Sequence, residues 1–432
     1  MKSKFLKVVA AVGILPLCMG IFAACTGTKM KSQKISEDKI VYAEAGTSIF
    51  ESEETRRAMT SFAADLFRKN TKSGKNSMLS PLSAYLCLSM CANGAGGVTK
   101  SEMEKVLGLD LDTLNLYCAN LYSRINENKQ LEEYLSTSNA IWYNDAYGIM
   151  PKKNFLDVNA LYYGADLYKA NFKDVNVADD VNLWVSEKTD GMIKKMLDEA
   201  SDESMMLLVN TLLFESGWAQ EGGYNRTNVD FTDSDGRTKS VSGFYSTSYS
   251  YFKSENFHAF KTNYEANGIA FYGILPLDDG KYGGKDVDFD SVVAGFDANE
   301  MYGILNGRQK ELYMVHAMTP CFKFDYEVQL AEYFEKNGMP SAFDMWGADF
   351  SNMYETTDAF NVYIASILQK TAIELDENGT KAAAATVIDL PATSADPSQF
   401  IQLDMYLDRP FIFMIVDEVS GVPLFVGSVA NV

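Results

Sequence analysis

Histidine is nearly absent. The 432 residues hold two, His258 and His316, and neither lies in a GxSxG elbow or an HExxH helix, because the chain contains no such motif. His316 falls in the strand-like run LYMVHAMTP and reads as a structural side chain, not a catalytic base. Cysteine is sparse too: Cys18, Cys25, Cys87, Cys91, Cys118 and Cys321 form no CxxC pair and have no histidine at metal spacing. Cys87 and Cys91 stand four apart in an apolar helical pattern and read as small buried side chains. GAGGVTK, residues 94–100, lacks the adjacent Gly and Lys that set a lysine against phosphates, so it reads as a helix terminator. The carboxylates are abundant but scattered. With no nucleophile and base, no metal cluster and no cofactor motif, nothing in the chain argues for an enzyme.

Positive charge is also short, with 38 Lys and Arg against 58 Asp and Glu. The first 24 residues hold three lysines and no acid, so their removal takes the net charge from −20 to −23. Such a surface repels phosphates, and nucleic acid is excluded as a partner. Beyond the N-terminus no apolar run approaches the roughly 20 residues needed to span a bilayer.

The N-terminus is different. MKSKFLKVVAAVGILPLCMGIFAAC places Lys2, Lys4 and Lys7 ahead of an apolar run that closes on Ala23, Ala24 and Cys25, the pattern of a signal peptide. It resembles the lipobox of bacterial lipoproteins, which implies a lipid on Cys25 as the new first residue. Ordinary cleavage near Ala24 and a retained single anchor are the other readings. The expectation is an extracytoplasmic protein, lipid-anchored to a bacterial membrane and facing the exterior or periplasm, with residues 25–48 a flexible polar tether.

From Ile49 onward helical and strand patterns mix without alternating. AMTSFAADLFRKN has a helical apolar face, and NSMLSPLSAYLCLSMCANGAGG reads as a strand, a Ser-Pro turn and an apolar helix. MMLLVNTLLF, GIAFYGILPL and ELYMVHAMTPCFKF read as strands, and RPFIFMIVD with VPLFVGSVANV as a hairpin around Ser420 and Gly421. The class is α+β.

NSMLSPLSAY, VNLWVSEKTDGMI, LVNTLLFESGW, ELDENGTKAAAAT, DRPFIFMI and PLFVGSVAN, in that order, resemble signatures of the serpin family. The resemblance spans 49–432. It implies a single domain of three β-sheets with eight or nine helices and an exposed reactive-centre loop at about 377–404. It also implies a sheet-opening region at Ser80, Ser83, Asn210, Trp218 and Gln369. The family usually has histidine where this chain has Gln369, and glutamine cannot be protonated there. Asn182, Trp184, Thr189 and Gly191 match the helix packed across the front of the sheet.

The loop itself is unusual in composition. ENGTKAAAATVIDLPATSADPSQ, residues 377–399, sets four alanines beside Thr386, Val387 and Ile388. Read as a strand, one face carries Thr380, Ala382, Ala384, Thr386, Ile388 and Leu390, with no charge. The other carries Lys381, Ala383, Ala385, Val387, Asp389 and Pro391. Only the first face suits burial. Within the resemblance, Glu377, Gly379, Thr380, Ala382, Ala383, Ala384, Ala385 and Thr386 match the hinge of inhibitory members, with Lys381 in place of the more usual glutamate.

The implied function is suicide inhibition: a serine protease attacks the loop, and the cut loop enters the central sheet before the covalent acyl-enzyme is hydrolysed. The family spacing from Gly379 puts the reactive bond at Thr393–Ser394, with Ala392 the main alternative and Leu390 more distant. A small residue there suits elastase-like or subtilisin-like proteases. The implied protein is a monomer with no cofactor and no metal, touching membrane through its lipid only. A serpin fold used without inhibition, for binding or as a chaperone, is the competing reading.

Overall fold

The computed structural model describes residues 29–36, 47–148, 150–220, 222–278, 280–282, 287–307, 311–355, 361–380 and 399–432. The leader with Cys25 and residues 381–398, which include Ala382–Thr386 and the expected reactive bond, lie outside the described residues.

Ten α-helices occur among the described residues: α1 (Glu53–Asn70), α2 (Pro81–Ala92), α3 (Gly97–Leu107), α4 (Leu111–Asn126), α5 (Lys153–Tyr163), α6 (Val177–Lys188), α7 (Phe289–Gly295), α8 (Ala298–Asn306), α9 (Ala331–Lys336) and α10 (Pro340–Phe343). The expectation of eight or nine falls short because α9 and α10 span only six and four residues. Helix α2 begins where the Ser80 hydroxyl accepts the Ser83 N–H at 3.2 Å and Pro81 occupies the first helical position. Helix α2 ends at Ala92 just before GAGGVTK, and Gly97 within that stretch opens α3.

By hydrogen bonding there are four sheets. The first runs β1 (Gln33–Lys34), β4 (Asp166–Ala170), β3 (Leu135–Asn144), β5 (Met206–Phe214). The second runs β2 (Ser77–Leu79), β18 (Val422–Val429), β17 (Phe411–Asp417), β11 (Ile269–Pro276), β10 (Phe257–Asn263), β9 (Tyr251–Lys253). The third is β16 (Ile401–Tyr406), β12 (Tyr313–Pro320), β8 (Thr238–Ser248), β7 (Arg226–Thr232), with β12 and β16 parallel. The fourth is β13 (Phe322–Gln329), β14 (Leu368–Asp376), β15 (Gly379–Thr380), β6 (Ser216–Gly217). Only Glu215 separates β5 from β6. The first and fourth sheets are therefore two halves of one, which reconciles four with the expected three.

The strands β17 and β18 are buried along their whole length, and they carry the main core with α1 and α2. A second apolar cluster lies on the opposite face of the first sheet. There Trp184 of α6 meets Trp142 of β3 edge-on at 5.6 Å, and Trp142 stacks on Tyr168 of β4 at 4.6 Å. Helix α6 thus covers the front of the sheet, as Trp184 predicts. Asn182 ties it to the returning chain, donating to Leu197 O at 2.7 Å and accepting from Met196 N and Leu197 N. Thr189 caps α6, and Gly191 follows at φ 76°.

The tether expected over 25–48 needs correction where it is described. Gln33 and Lys34 pair antiparallel with Lys169 and Tyr168 at the edge of β4. The Asp180 carboxylate of α6 accepts from Lys31 N at 3.0 Å and Ser32 N at 2.6 Å. Polar composition suggested a free segment, but a bare strand edge offers backbone partners that composition does not reveal.

Candidate functional site

Among the described residues the two sheet halves meet only at their upper end. There the two-residue strand β15 pairs on one side with β14, Gly379 opposite Asp376 and Thr380 opposite Leu375. On the other side it pairs with β6, Gly379 opposite Gly217 and Thr380 opposite Ser216. Gly379 sits at φ 149°, and a Cβ there would lie 2.2 Å from Ser216 O. Only glycine fits this close backbone approach.

Thr380 is buried, and its hydroxyl lies 2.6 Å from Tyr264 Oη. Tyr264 in turn stacks on Trp218 with ring centroids 4.5 Å apart. Trp218, fully buried, donates its indole N–H to Asp376 O at 2.9 Å and its backbone N–H to Asn378 O at 3.0 Å. The turn before the hinge is thereby held from below by one aromatic stack. Glu377 is held from the side: its carboxylate takes the Arg226 guanidinium at 2.8 Å, and its carbonyl accepts Tyr224 N at 2.8 Å. Partial burial pushes the Glu377 carboxyl up, but its own backbone N–H and Arg226 outweigh that and hold it below its ordinary value. The neighbouring Cys321 thiol is pushed up to about 11 by burial and then by Glu377, so it stays protonated.

Below β15 the described residues of β5 and β14 face each other unpaired across a cavity of about 600 Å³. Ser80, Ser83, Asn210, Gln369, Thr371 and Thr380 are among its lining residues. Gln369 crosses to α2, accepting Ser80 N at 3.1 Å and donating to Ser80 O at 2.8 Å, and Thr371 donates to Met78 O at 2.7 Å. Asn210 turns the other way. Its amide N–H donates to Thr137 Oγ1 at 3.0 Å and Asn139 Oδ1 at 2.8 Å on β3, while its buried Oδ1 has no partner among the described residues. The floor of the slot is thus anchored separately to each bank.

This constellation holds no nucleophile and base. It is a gap in a sheet with a short strand already seated at its head. A profile of the serpin (serine protease inhibitor) family matches residues 57–432. The chain is a serpin. It is 27% identical over 383 residues to an uncharacterized serpin-like protein of Thermococcus kodakarensis, covering 87% of this chain and 85% of that one. Human serpin I2 is 27% identical over 386 residues, covering 86% and 90%. The crystal structure of tengpin, a thermophilic serpin, in its native state matches with a TM-score of 0.75 and 32% identity, over 93% of this chain and 98% of that one. Serpins as a family act on proteases as inhibitors rather than as catalysts.

Of the residues predicted for sheet opening, the serpin brings Ser80, Ser83 and Gln369 into one hydrogen-bonded group and sets Trp218 at the head of the slot. Asn210 lines the slot too, but its side chain bonds to the opposite bank, on β3. Within the hinge, Glu377, Gly379 and Thr380 are placed as described. Cys91 is buried as expected, whereas Cys87 is half-buried at the slot with its thiol pushed up to about 12 by burial. His316 is exposed on β12 and meets Gln402 at 2.9 Å. Tyr264, Arg226 and Thr371 were not anticipated. The only sequence sign of Tyr264 was an aromatic at the end of a strand.

Proposed function

We propose that this serpin is a suicide inhibitor of serine proteases with a small, shallow primary pocket, elastase-like or subtilisin-like. One observation carries the reading. Gly379–Thr380 already forms a strand between β14 and β6, in register with both, over a slot across which the described residues of β5 and β14 do not pair.

Continuing that register downward would give residues 381–387 a partner on each bank. Ala382 would fall between Ile373 and Phe214, Ala384 between Thr371 and Leu212, and Thr386 between Gln369 and Asn210. All six partners are buried and face the core side. These loop positions are the uncharged set, and the Thr386 hydroxyl would reach the unpartnered Asn210 Oδ1. On the other face Val387 would fall between Leu368 and Val209, which pack in the cluster under α6.

In this reading the protease serine oxygen attacks the Thr393 carbonyl carbon, with Ala392 the alternative position. An ester forms as the Thr393–Ser394 bond breaks, and the Ser394 amine leaves with the proton. The freed segment then enters the slot and carries the acylated protease with it before water reaches the ester. Added strand hydrogen bonds and burial of the small apolar set drive insertion. The leader further supports export and lipidation at Cys25, with the domain held outside the cytoplasm. Loss of labelled lipid in Cys25→Ser tests that part.

Mixing the mature chain with elastase-like, subtilisin-like and trypsin-like proteases tests the main reading. A detergent-resistant complex with the first two, and a new N-terminus at Ser394 by mass spectrometry, is the expected outcome. Cleavage without a complex rejects it.

A further inference from the structure

Two thiols stand on one wall of the slot. Cys87 and Cys91 lie four apart on α2, one turn from each other, and both line the cavity of about 600 Å³. Cys87 is half-buried, with its Sγ 3.7 Å from Leu208 O of β5, and Cys91 is buried. Met353 brings a third sulfur to the same wall. A Cβ on Gly94 would lie 2.7 Å from the Met353 Cε, and Gly94 N donates to Cys91 O at 2.9 Å, so the thioether ends beside the turn that follows Cys91. Six methionines in all line the cavity, and among its described lining residues there is no histidine.

The spacing decides what the pair can do. Cβ atoms four apart on a helix are about 5–6 Å from each other, whereas a disulfide needs about 3.5–4.5 Å. The two thiols therefore cannot bond to each other while α2 stays helical. An ion between them can still bridge, because two metal–sulfur bonds of about 2.3 Å laid in line set the sulfurs roughly 4.6 Å apart. Among the described residues no group of three or more His, Cys, Asp or Glu is placed to hold a metal, which leaves tetrahedral zinc and hard octahedral ions without a site. A soft two-coordinate ion needs only two sulfurs, and thiol with thioether is the donor set that selects Cu(I).

We propose that Cys87 and Cys91, with Met353 beside them, hold one soft monovalent ion of the Cu(I) class, and that the bound ion keeps a strand out of the slot. Binding replaces one proton: an S–H bond breaks, a sulfur–copper bond forms, and the proton leaves to water. The second sulfur stays neutral and donates a lone pair, so thiolate and ion sum to zero charge, as an apolar cavity requires. Without the ion both thiols stay protonated and unreactive, since burial pushes Cys87 up to about 12 and raises Cys91 too, with Cys87 adding to it. The ion would occupy the floor on which the uncharged face of an entering strand lies. The site itself is independent of the inhibitory reading, and its effect on trapping rests on that reading.

The test uses the chain from residue 25 with Cys25→Ser, reduced and under nitrogen, titrated into the Cu(I) complex of bicinchoninate. Loss of the chelator's colour measures transfer, and thermal midpoints confirm that each variant is folded. One Cu(I) per chain is expected, with affinity lower by at least about tenfold in Cys87→Ala and in Cys91→Ala and unchanged in Cys321→Ala. Loaded protein should consume more inhibitor per trapped protease than the metal-free form, and excess chelator should restore it. The Cys87→Ala, Cys91→Ala double variant should trap equally well with and without copper. No transfer from the chelator, or transfer that the double variant retains, overturns the site. Binding that needs both thiols but leaves trapping unchanged overturns the blocking of the slot. A chain that takes up copper through both thiols yet traps no protease removes the inhibitory reading and leaves the site standing.

Discussion

Tyr264 Oη and Thr380 Oγ1 lie 2.6 Å apart in the core, joining the loop hinge to the aromatic stack under it. Tyr264→Phe removes one partner and leaves the Thr380 hydroxyl buried alone, at a cost of about 1–2 kcal/mol. Thr380→Val in the Tyr264→Phe background recovers most of that, because both polar groups are then gone. Urea unfolding of the two variants measures the effect, and faster exchange of the Thr380 amide in the single variant locates it at the hinge.

Glu377 predicts an acid-sensitive hinge. Its carboxyl is held below the ordinary glutamate value when folded, with Arg226 contributing. A depressed folded pKa adds stability that is fully present above the unfolded value of about 4.3 and is lost as pH falls through the folded one. The thermal midpoint of wild type should therefore fall below about pH 4.5 by more than that of Glu377→Gln. Equal slopes for the two proteins refute the assignment.

Gln369 sits where a titrating side chain would make the slot respond to pH. It both accepts from Ser80 N and donates to Ser80 O, a pair of roles that neutral histidine can share and imidazolium cannot. Gln369→His should be near wild type at pH 8. It should lose stability as pH drops through about 6.5, since protonation removes the acceptor. Wild type stays flat over that interval at this position. Thermal scans at pH 5.5 and 8 separate the two.

How much of this was legible in the sequence depends on the kind of interaction. The hinge glycine, Trp218 and the group at Ser80 and Gln369 were readable because each sits inside a local run of residues. The alternation of charge along the loop was readable because a strand has period two. The direction of Asn210 was not, since both banks of the slot offer an amide partner and only the fold decides. Tyr264 reaches Thr380 through tertiary packing alone, with no spacing in the chain to signal it. The strand at Gln33–Lys34 escaped notice because its partner is the exposed edge of β4, and α9 and α10 are too short for helical periodicity to declare them.

Ala382→Arg tests whether the loop must enter the core. Under the proposed register Ala382 would lie between the buried Ile373 and Phe214, so an inserted strand would carry an unpaired guanidinium there at a cost of several kcal/mol. The variant should be cleaved at the wild-type rate while yielding no covalent complex, so that inhibitor becomes substrate. Gel analysis of the products over time distinguishes this from a protein that resists cleavage altogether.

The most direct measurement is the thermal midpoint of the mature chain before and after its loop is cut by a protease that is then removed. Filling the slot would pair β5 and β14 with a new strand, a gain on the order of 10 kcal/mol from hydrogen bonds and apolar burial. The account predicts that the cut protein melts at least about 10 °C higher than the intact one. An unchanged or lower midpoint after complete cleavage would contradict it.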